Sequence, residues 1–366
     1  MGASSITTIG FGPKPDGVSA HYIIPVLPLV ARYFGYLIRS HPLRFEYFFG
    51  RFLNRIPSRV MEEVDLLVVN EIEYMHWSKF STTDLKSAPT YLDLHEDHVH
   101  HADRGLLERF AFRKYWVWQL EQLVSFVRGR KGKVAITCVE EVIADSYANI
   151  LGEPLDLILN SPDENDLEPG LVNPGNIRLV HHGMGTKGRG IEQTIVALSR
   201  LDSKFTLDLI IFSGPLYTLK IKVLALIFGV SRRMRFLPGV PLSDLPKVLN
   251  KYDVSVIILS DVTSGHLNAL PNKLFESIQA KLAIITGPNP SMAKLVLGNG
   301  VGVALPSWSP KDLAKQLGQL TASEIQAFKQ NAVVASKKFS TEASKRVFMR
   351  IVRNLGDGDS YQGKAE

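Results

Sequence analysis

The chain holds one cysteine in 366 residues, Cys138, so no intrachain disulfide can form. That thiol lies in the apolar run VAITCV, where a buried and inert role is expected, and a reducing cytoplasm is the expected compartment. Long uncharged apolar runs are also missing. IIPVLPLVARYFGYLI is broken by Pro and Arg, LYTLKIKVLALIFGV carries two lysines, and neither reaches the roughly 18 residues of a spanning helix. The opening MGASSITTIGFGPKPDG has no basic segment followed by an apolar core, so no secretory signal is read there. Charge of one sign is in slight excess only, 42 Lys and Arg against 36 Asp and Glu, a formal net charge of +6. Such a surplus draws anions, phosphates or acidic lipid head groups among them, and does not argue for nucleic acid.

What the chain does have is a regular alternation. From about residue 60, β-branched apolar runs alternate with helical patterns: DLLVVNE, TYLDLH, KVAITCV, LDLILNS, IRLVHHG, FTLDLIIFSG, MRFLPG, VSVIILS, LAIITGP and VGVAL. Strands buried on both faces show continuous apolar runs, and helices between them make right-handed βαβ units, so the fold class is α/β with parallel sheets. The Pro-, Gly-, Asn- and acid-rich stretch SPDENDLEPGLVNPGN has neither period and suits an interdomain linker. Residues 1–165 are expected as an N-terminal Rossmann-like domain and 166–340 as a C-terminal Rossmann-like domain. Residues 341–366 are expected as a helix and tail packing back on the N-terminal domain. Helix caps are expected at Ser309, Thr321 and Thr341.

Ligands of open α/β sheets bind beyond the carboxyl ends of the strands. Two stretches there carry chemistry. In LVHHGMGTKGRGIEQTIVAL a strand ends in a loop with Gly183, Gly185, Gly188 and Gly190, and the cations Lys187 and Arg189 sit among them before a helix starts near Ile191. Free N–H groups and the dipole at a helix start favour a phosphate, and Arg189 adds a planar fork that suits phosphate oxygens. In LNALPNKLFESIQAKLAII, Pro271 is expected as the first residue of a helix, with Asn272 and Lys273 in its first turn. Lysine is unfavourable at that end of a helix, which suggests that an anion occupies the spot. Glu276 shares a face with Asn272. It is either an exposed carboxylate stabilised by the dipole or an acceptor for two vicinal hydroxyls.

These stretches, with FLPGV…LPKVLNKYDVSVIILS between them, resemble the C-terminal half of the retaining nucleotide-sugar glycosyltransferases of family 4 (glycosyl transferases group 1), in particular a sub-group with an LPNKxFE block. The resemblance covers about residues 60–350 and is strongest over 177–290. It implies a GT-B fold of two Rossmann-like domains facing a cleft. It also implies transfer of a sugar from a nucleotide diphosphate to an acceptor hydroxyl with retention, with no divalent ion and no other cofactor. A Gly183–Gly190 loop would hold the donor diphosphate, with Arg189 in the place of the family's lysine and Met184 in the place of its loop arginine. Glu276, the second residue of the family's E-x7-E signature, would bind the ribose, while the first falls on Asn268. The donor-binding set is then Gly183, Gly185, Arg189, Gly239, Val240, Asn268, Leu270, Pro271, Asn272, Lys273 and Glu276, with Arg189 and Lys273 also stabilising the leaving group.

The stretch YLDLHEDHVHHADRG packs four histidines and four acids into fifteen positions, yet its order misses H-E-x-x-H and no cysteine is near, so no metal site is expected. By the resemblance, His95 is the catalytic histidine that faces the donor sugar. The family's opening strand, Gly-rich loop and long helix have no counterpart here, and the first βα unit is expected to be absent. Asn268, Met184 and that absence keep an inactive donor-binding scaffold as an alternative, and a GT-B sugar-nucleotide epimerase is a second. Expected partners are a UDP-, GDP- or ADP-linked sugar and a saccharide or lipid-linked acceptor. Residues 31–55 interleave aromatics with five arginines. They suit either peripheral contact with an anionic membrane or a core-facing helix pair broken at Pro42.

Overall fold

A computed structural model of the chain describes residues 5–10, 13–23, 64–72, 88–99, 113–130, 132–260, 267 and 269–356. The chain divides into two compact units, the first made of Met1–Leu157 with Met349–Glu366 and the second of Ile158–Phe348.

In the first unit, β1 (Thr7–Gly10) and β2 (Ala20–Ile23) form a small parallel sheet. A second parallel sheet runs in the order β3 (Leu67–Asn70), β4 (Thr90–Leu94), β5 (Val134–Cys138) and β6 (Asp156–Leu157). Between its strands lie α1 (Arg113–Arg128) and α2 (Glu141–Leu151). Leu92, Leu94, Leu123, Ile136, Cys138 and Tyr147 pack together in its core. LDLILNS keeps only two residues in the ladder, because β6 is an edge strand paired on one side.

The second unit has one six-stranded parallel sheet. Its strands are β7 (Ile177–Met184), β8 (Phe205–Phe212), β9 (Met234–Leu237), β10 (Val254–Ile257), β11 (Ala283–Thr286) and β12 (Gly302–Ala304). The helices in chain order are α3 (Ile191–Leu198), α4 (Pro215–Ile227), α5 (Leu245–Leu249), α6 (Asn272–Gln279), α7 (Pro290–Gly298), α8 (Pro310–Gln319), α9 (Ala322–Lys338) and α10 (Thr341–Gly356). From Met349 onward α10 groups with the first unit.

The strand order β12-β11-β10-β7-β8-β9 is that of the dinucleotide-binding fold, and it reverses between β7 and β10. Pairing differs sharply on the two sides of β7. Eight residue pairs join it to β8, but only Leu179–Val254 and Val180–Ser255 join it to β10. Beyond Val180, β7 and β10 part, and His181 and His182 stand at the mouth of the gap. Below it, buried Asp253 ties the amino ends together, taking Arg178 at 3.0 Å and Lys329 at 3.6 Å.

Three sequence expectations need correction here. The stretch 161–176 is irregular, as its composition dictates, but it is no free linker. Asn165 donates to the Gln279 carbonyl at 3.2 Å, Val172 N–H to Gln326 at 3.0 Å, and the Pro162 carbonyl accepts from Thr341 N–H. Those bonds satisfy backbone and amide groups that would otherwise be stranded at the surface of the second unit. At α10 the cap is Ser340, whose hydroxyl accepts from Ala343 N–H, while the Thr341 hydroxyl donates to the Ser161 carbonyl. Ser309 caps α8 as expected, and Thr321 with Glu324 forms a reciprocal capping box on α9. Pro271 is the residue before α6, in extended conformation at ψ 146°, and not the first residue within it. Residues 31–55, Asn268, His100 and His101 lie outside the described residues. Among the described residues, no helix is long and apolar enough to cross a membrane.

Candidate active site

The switch point of the second sheet gathers most of the expected residues. Gly183 and Met184 end β7, and Gly185 N–H donates to the Phe212 carbonyl at the end of β8. Gly183, Gly185 and Gly188 stand at G-x-G-x-x-G spacing where β7 gives way to the loop before α3. Gly190, just before α3, has φ 80°, and a Cβ there would lie 2.5 Å from Ile258 Cβ. Only glycine fits, for the left-handed backbone and for the close approach alike. The Gly188 carbonyl accepts from Ser260 N–H at 3.0 Å, fastening the loop to the segment after β10. Gly239 lies under the exposed Phe212 ring, where a Cβ would sit 2.3 Å from Cζ, and Val240 packs into the core around Leu245 and Leu249. Leu270 packs on the Leu274 and Phe275 side of the core.

The α6 helix starts at Asn272, which is exposed, with no acid in its first turn. Lys273 is buried, and its ammonium is pushed down to about 7, first by burial and then by the Arg189 guanidinium, with Glu276 pulling the other way. Among the described residues no ion pair or side-chain hydrogen bond holds Lys273 or Arg189, and Glu276 acts on Lys273 only through space. Glu276 is half-buried and receives His182: His182 Nε2 and Glu276 Oε2 are 2.9 Å apart. His182 is thus a site residue absent from the expected set, although the HHG doublet at a strand end could have pointed to it. Its neighbour His181 is wholly buried and makes no well-aligned hydrogen bond through either ring nitrogen. Burial, Lys273 and the neighbouring His182 keep His181 neutral, far below its ordinary titration range.

His95 belongs to the first unit, immediately after β4. Its Nε2 is 2.9 Å from Asp93 Oδ2, and its backbone N–H donates to Glu71 Oε1 at 2.9 Å. Asp93 Oδ1 in turn accepts from the Thr137 hydroxyl at 2.7 Å, and Tyr91 OH is 2.7 Å from that same hydroxyl. The hydrogen bond to Asp93 raises the pKa of His95, against some desolvation. His98 is a buried partner of Glu71 at 2.9 Å and stacks on Trp116 with ring centroids 4.6 Å apart. Glu71 holds the two histidines from a left-handed backbone, φ 76°, a conformation a non-glycine residue adopts at a cost.

A parallel sheet of this order, with a glycine loop, a helix start and two cations near its switch point, has the layout of a dinucleotide-fold domain. Residues 163–338 match the family described as Glycosyl transferases group 1. Residues 163–338 of the second unit therefore form a glycosyltransferase group 1 domain. No curated protein is similar enough in sequence to count as a match. Solved structures share the fold. Sucrose-phosphate synthase from Thermosynechococcus elongatus superposes with a TM-score of 0.65 at 14% identity, over 88% of this chain and 83% of the other. HepE of Anabaena, solved with UDP-glucose, gives 0.61 at 12% identity, over 96% and 99%. WaaG, a glycosyltransferase involved in lipopolysaccharide biosynthesis, gives 0.52 at 13%, over 93% and 99%.

Proposed function

We propose that the enzyme moves a sugar from a nucleotide-diphosphate donor to an acceptor hydroxyl, with retention at the anomeric carbon and without a divalent ion, as a member of the family 4 group. The observation that carries this reading is the buried Lys273 beside Arg189 at the start of α6, neither of them held in an ion pair among the described residues. A buried cation without a partner is costly unless an anion completes it. A diphosphate does so, and HepE, which shares the fold, was solved with UDP-glucose.

Breaking the sugar–phosphate bond leaves positive charge on the ring and negative charge on the departing diphosphate. Arg189, Lys273 and the α6 start answer the second charge, the task a metal ion performs elsewhere. Glu276, steadied by His182 through Oε2, offers Oε1 to the ribose hydroxyls. His95, oriented by Asp93, hydrogen-bonds the transferred sugar. No carboxylate in the described site is positioned as a nucleophile, and front-face attack by the acceptor, its proton passing to a leaving-group oxygen, is the reading we favour. The acceptor is a saccharide or a lipid-linked sugar, by analogy with WaaG. The lone buried Cys138 suits a reducing cytoplasm.

The test is a thermal-shift screen of UDP, GDP and ADP sugars followed by a nucleotide-release assay with saccharide acceptors and EDTA present. One nucleotide series should raise the melting temperature, and release should persist in EDTA. Absence of stabilisation by every nucleotide would defeat the donor reading, and turnover abolished by EDTA would defeat metal independence.

A further inference from the structure

Helix α4 has two apolar faces. Ile221 and Ala225 fill the core of the second unit, which accounts for its inward face. The outward face is apolar as well and is exposed among the described residues: Leu216 is 83% exposed, Leu226 66% and Ile227 72%, with Leu219 and Val223 exposed between them. At 3.6 residues per turn these five side chains form one unbroken arc, in the order Leu226, Leu219, Val223, Leu216, Ile227. Lys222 borders the arc on one side and Lys220 on the other. The helix carries no acid, and Arg232 is exposed in the turn that follows. Among soluble helices an apolar stripe faces the core and the opposite face is polar. Here the sequence LYTLKIKVLALI builds a second stripe that the fold leaves in water.

We propose that this face of α4 is a membrane-docking surface, seated in the head-group region of an anionic bilayer. Composition decides between a lipid and a protein occupant. Protein interfaces centre on Tyr, Trp, Met and Arg anchors. The arc holds only branched aliphatic side chains, the type that enters the acyl boundary, with lysines at both edges. Lys222 lies over the Phe236 ring, 5.4 Å from its centre, and Lys220 pairs with Glu192 at 2.9 Å, so both are held at the border of the patch. The surface lies in the second unit and is independent of residues 31–55. Docking there would hold the enzyme where a lipid-linked acceptor is found.

The experiment uses the full chain with vesicles of phosphatidylcholine alone or with acidic phosphatidylglycerol. Wild type should float with the acidic vesicles, less so in high salt and less with neutral ones. Leu219→Glu with Leu226→Glu should lower partitioning at least 10-fold and leave the melting temperature unchanged, since both side chains are exposed. A polarity-sensitive fluorophore on Leu226→Cys should shift to the blue on acidic vesicles and be quenched by brominated acyl chains. The proposal is overturned if acidic vesicles leave wild type in solution, or if the double variant binds equally well. It is also overturned if the label stays in water, or if sedimentation reveals a dimer that the double substitution disperses.

Discussion

The two clusters at strand ends solve opposite electrostatic problems. In the first unit both described histidines of the cluster have a carboxylate: His95 has Asp93, His98 has Glu71, and Thr137 and Tyr91 complete the network. In the second unit Lys273 lies beside Arg189 with neither in an ion pair among the described residues, and His181 stays neutral beside them. A satisfied network holds a neutral, hydroxyl-rich ligand or moves a proton. An unsatisfied pair of cations needs an anion from outside. On the proposed function, leaving-group stabilisation would fall to the second unit and sugar recognition to the first.

The comparison breaks most easily at Arg189. Arg189→Ala should lower kcat/KM about 10- to 1000-fold, the range expected for a lost charge-assisted contact in the transition state. Unchanged turnover would mean that the cations do not meet the leaving group. Next in size, Gly190→Ala should cost about 2–4 kcal/mol, combining the left-handed backbone with overpacking against Ile258. Urea unfolding checks this, and a change near zero would mean that the loop relaxes freely.

The titration of Lys273 sharpens the same contrast. Its ammonium is held down to about 7 in the free protein, and a bound diphosphate raises that value by stabilising the charged form. Nucleotide affinity is therefore full below pH 7 and should fall about tenfold per pH unit above it, one proton being taken up on binding. Calorimetry in buffers of different ionisation heat measures that proton. A flat affinity between pH 7 and 9 would contradict the assignment. The smallest effect belongs to the first unit. Asp93→Asn removes the bond that raises His95, so the pH at which the imidazole loses its proton should drop toward the ordinary value, as an NMR titration would record. About tenfold in kcat should be lost with it, while nucleotide affinity stays as in wild type. A joint loss of both would mean that the clusters do not divide the work.

The sequence carried the fold well, because each strand from DLLVVNE to VGVAL is a short β-branched run between helical patterns, and buried parallel strands leave little else to confuse with them. The glycine loop and the helix start after LPN were legible as elements for a similar reason, since a left-handed loop and a helix start call for particular residues at particular offsets. What stayed hidden depended on distance in the chain. His182 meets Glu276 across 94 residues, and no local period announces that bond. Asp93 behind His95 looked like one more acid in a charged stretch until β5 brought Thr137 to its other oxygen. The linker was misjudged because a Pro- and Gly-rich segment has the same composition whether it hangs free or lies hydrogen-bonded along a domain.

The central sheet of the second unit is joined at its middle by a pairing only two residues long, Leu179 with Val254 and Val180 with Ser255. A nucleotide lodged above those rungs would span both halves of the sheet and act as a removable clasp. Amide protons of β10 should then exchange more slowly when the enzyme is loaded, which makes the seam itself a reporter of occupancy.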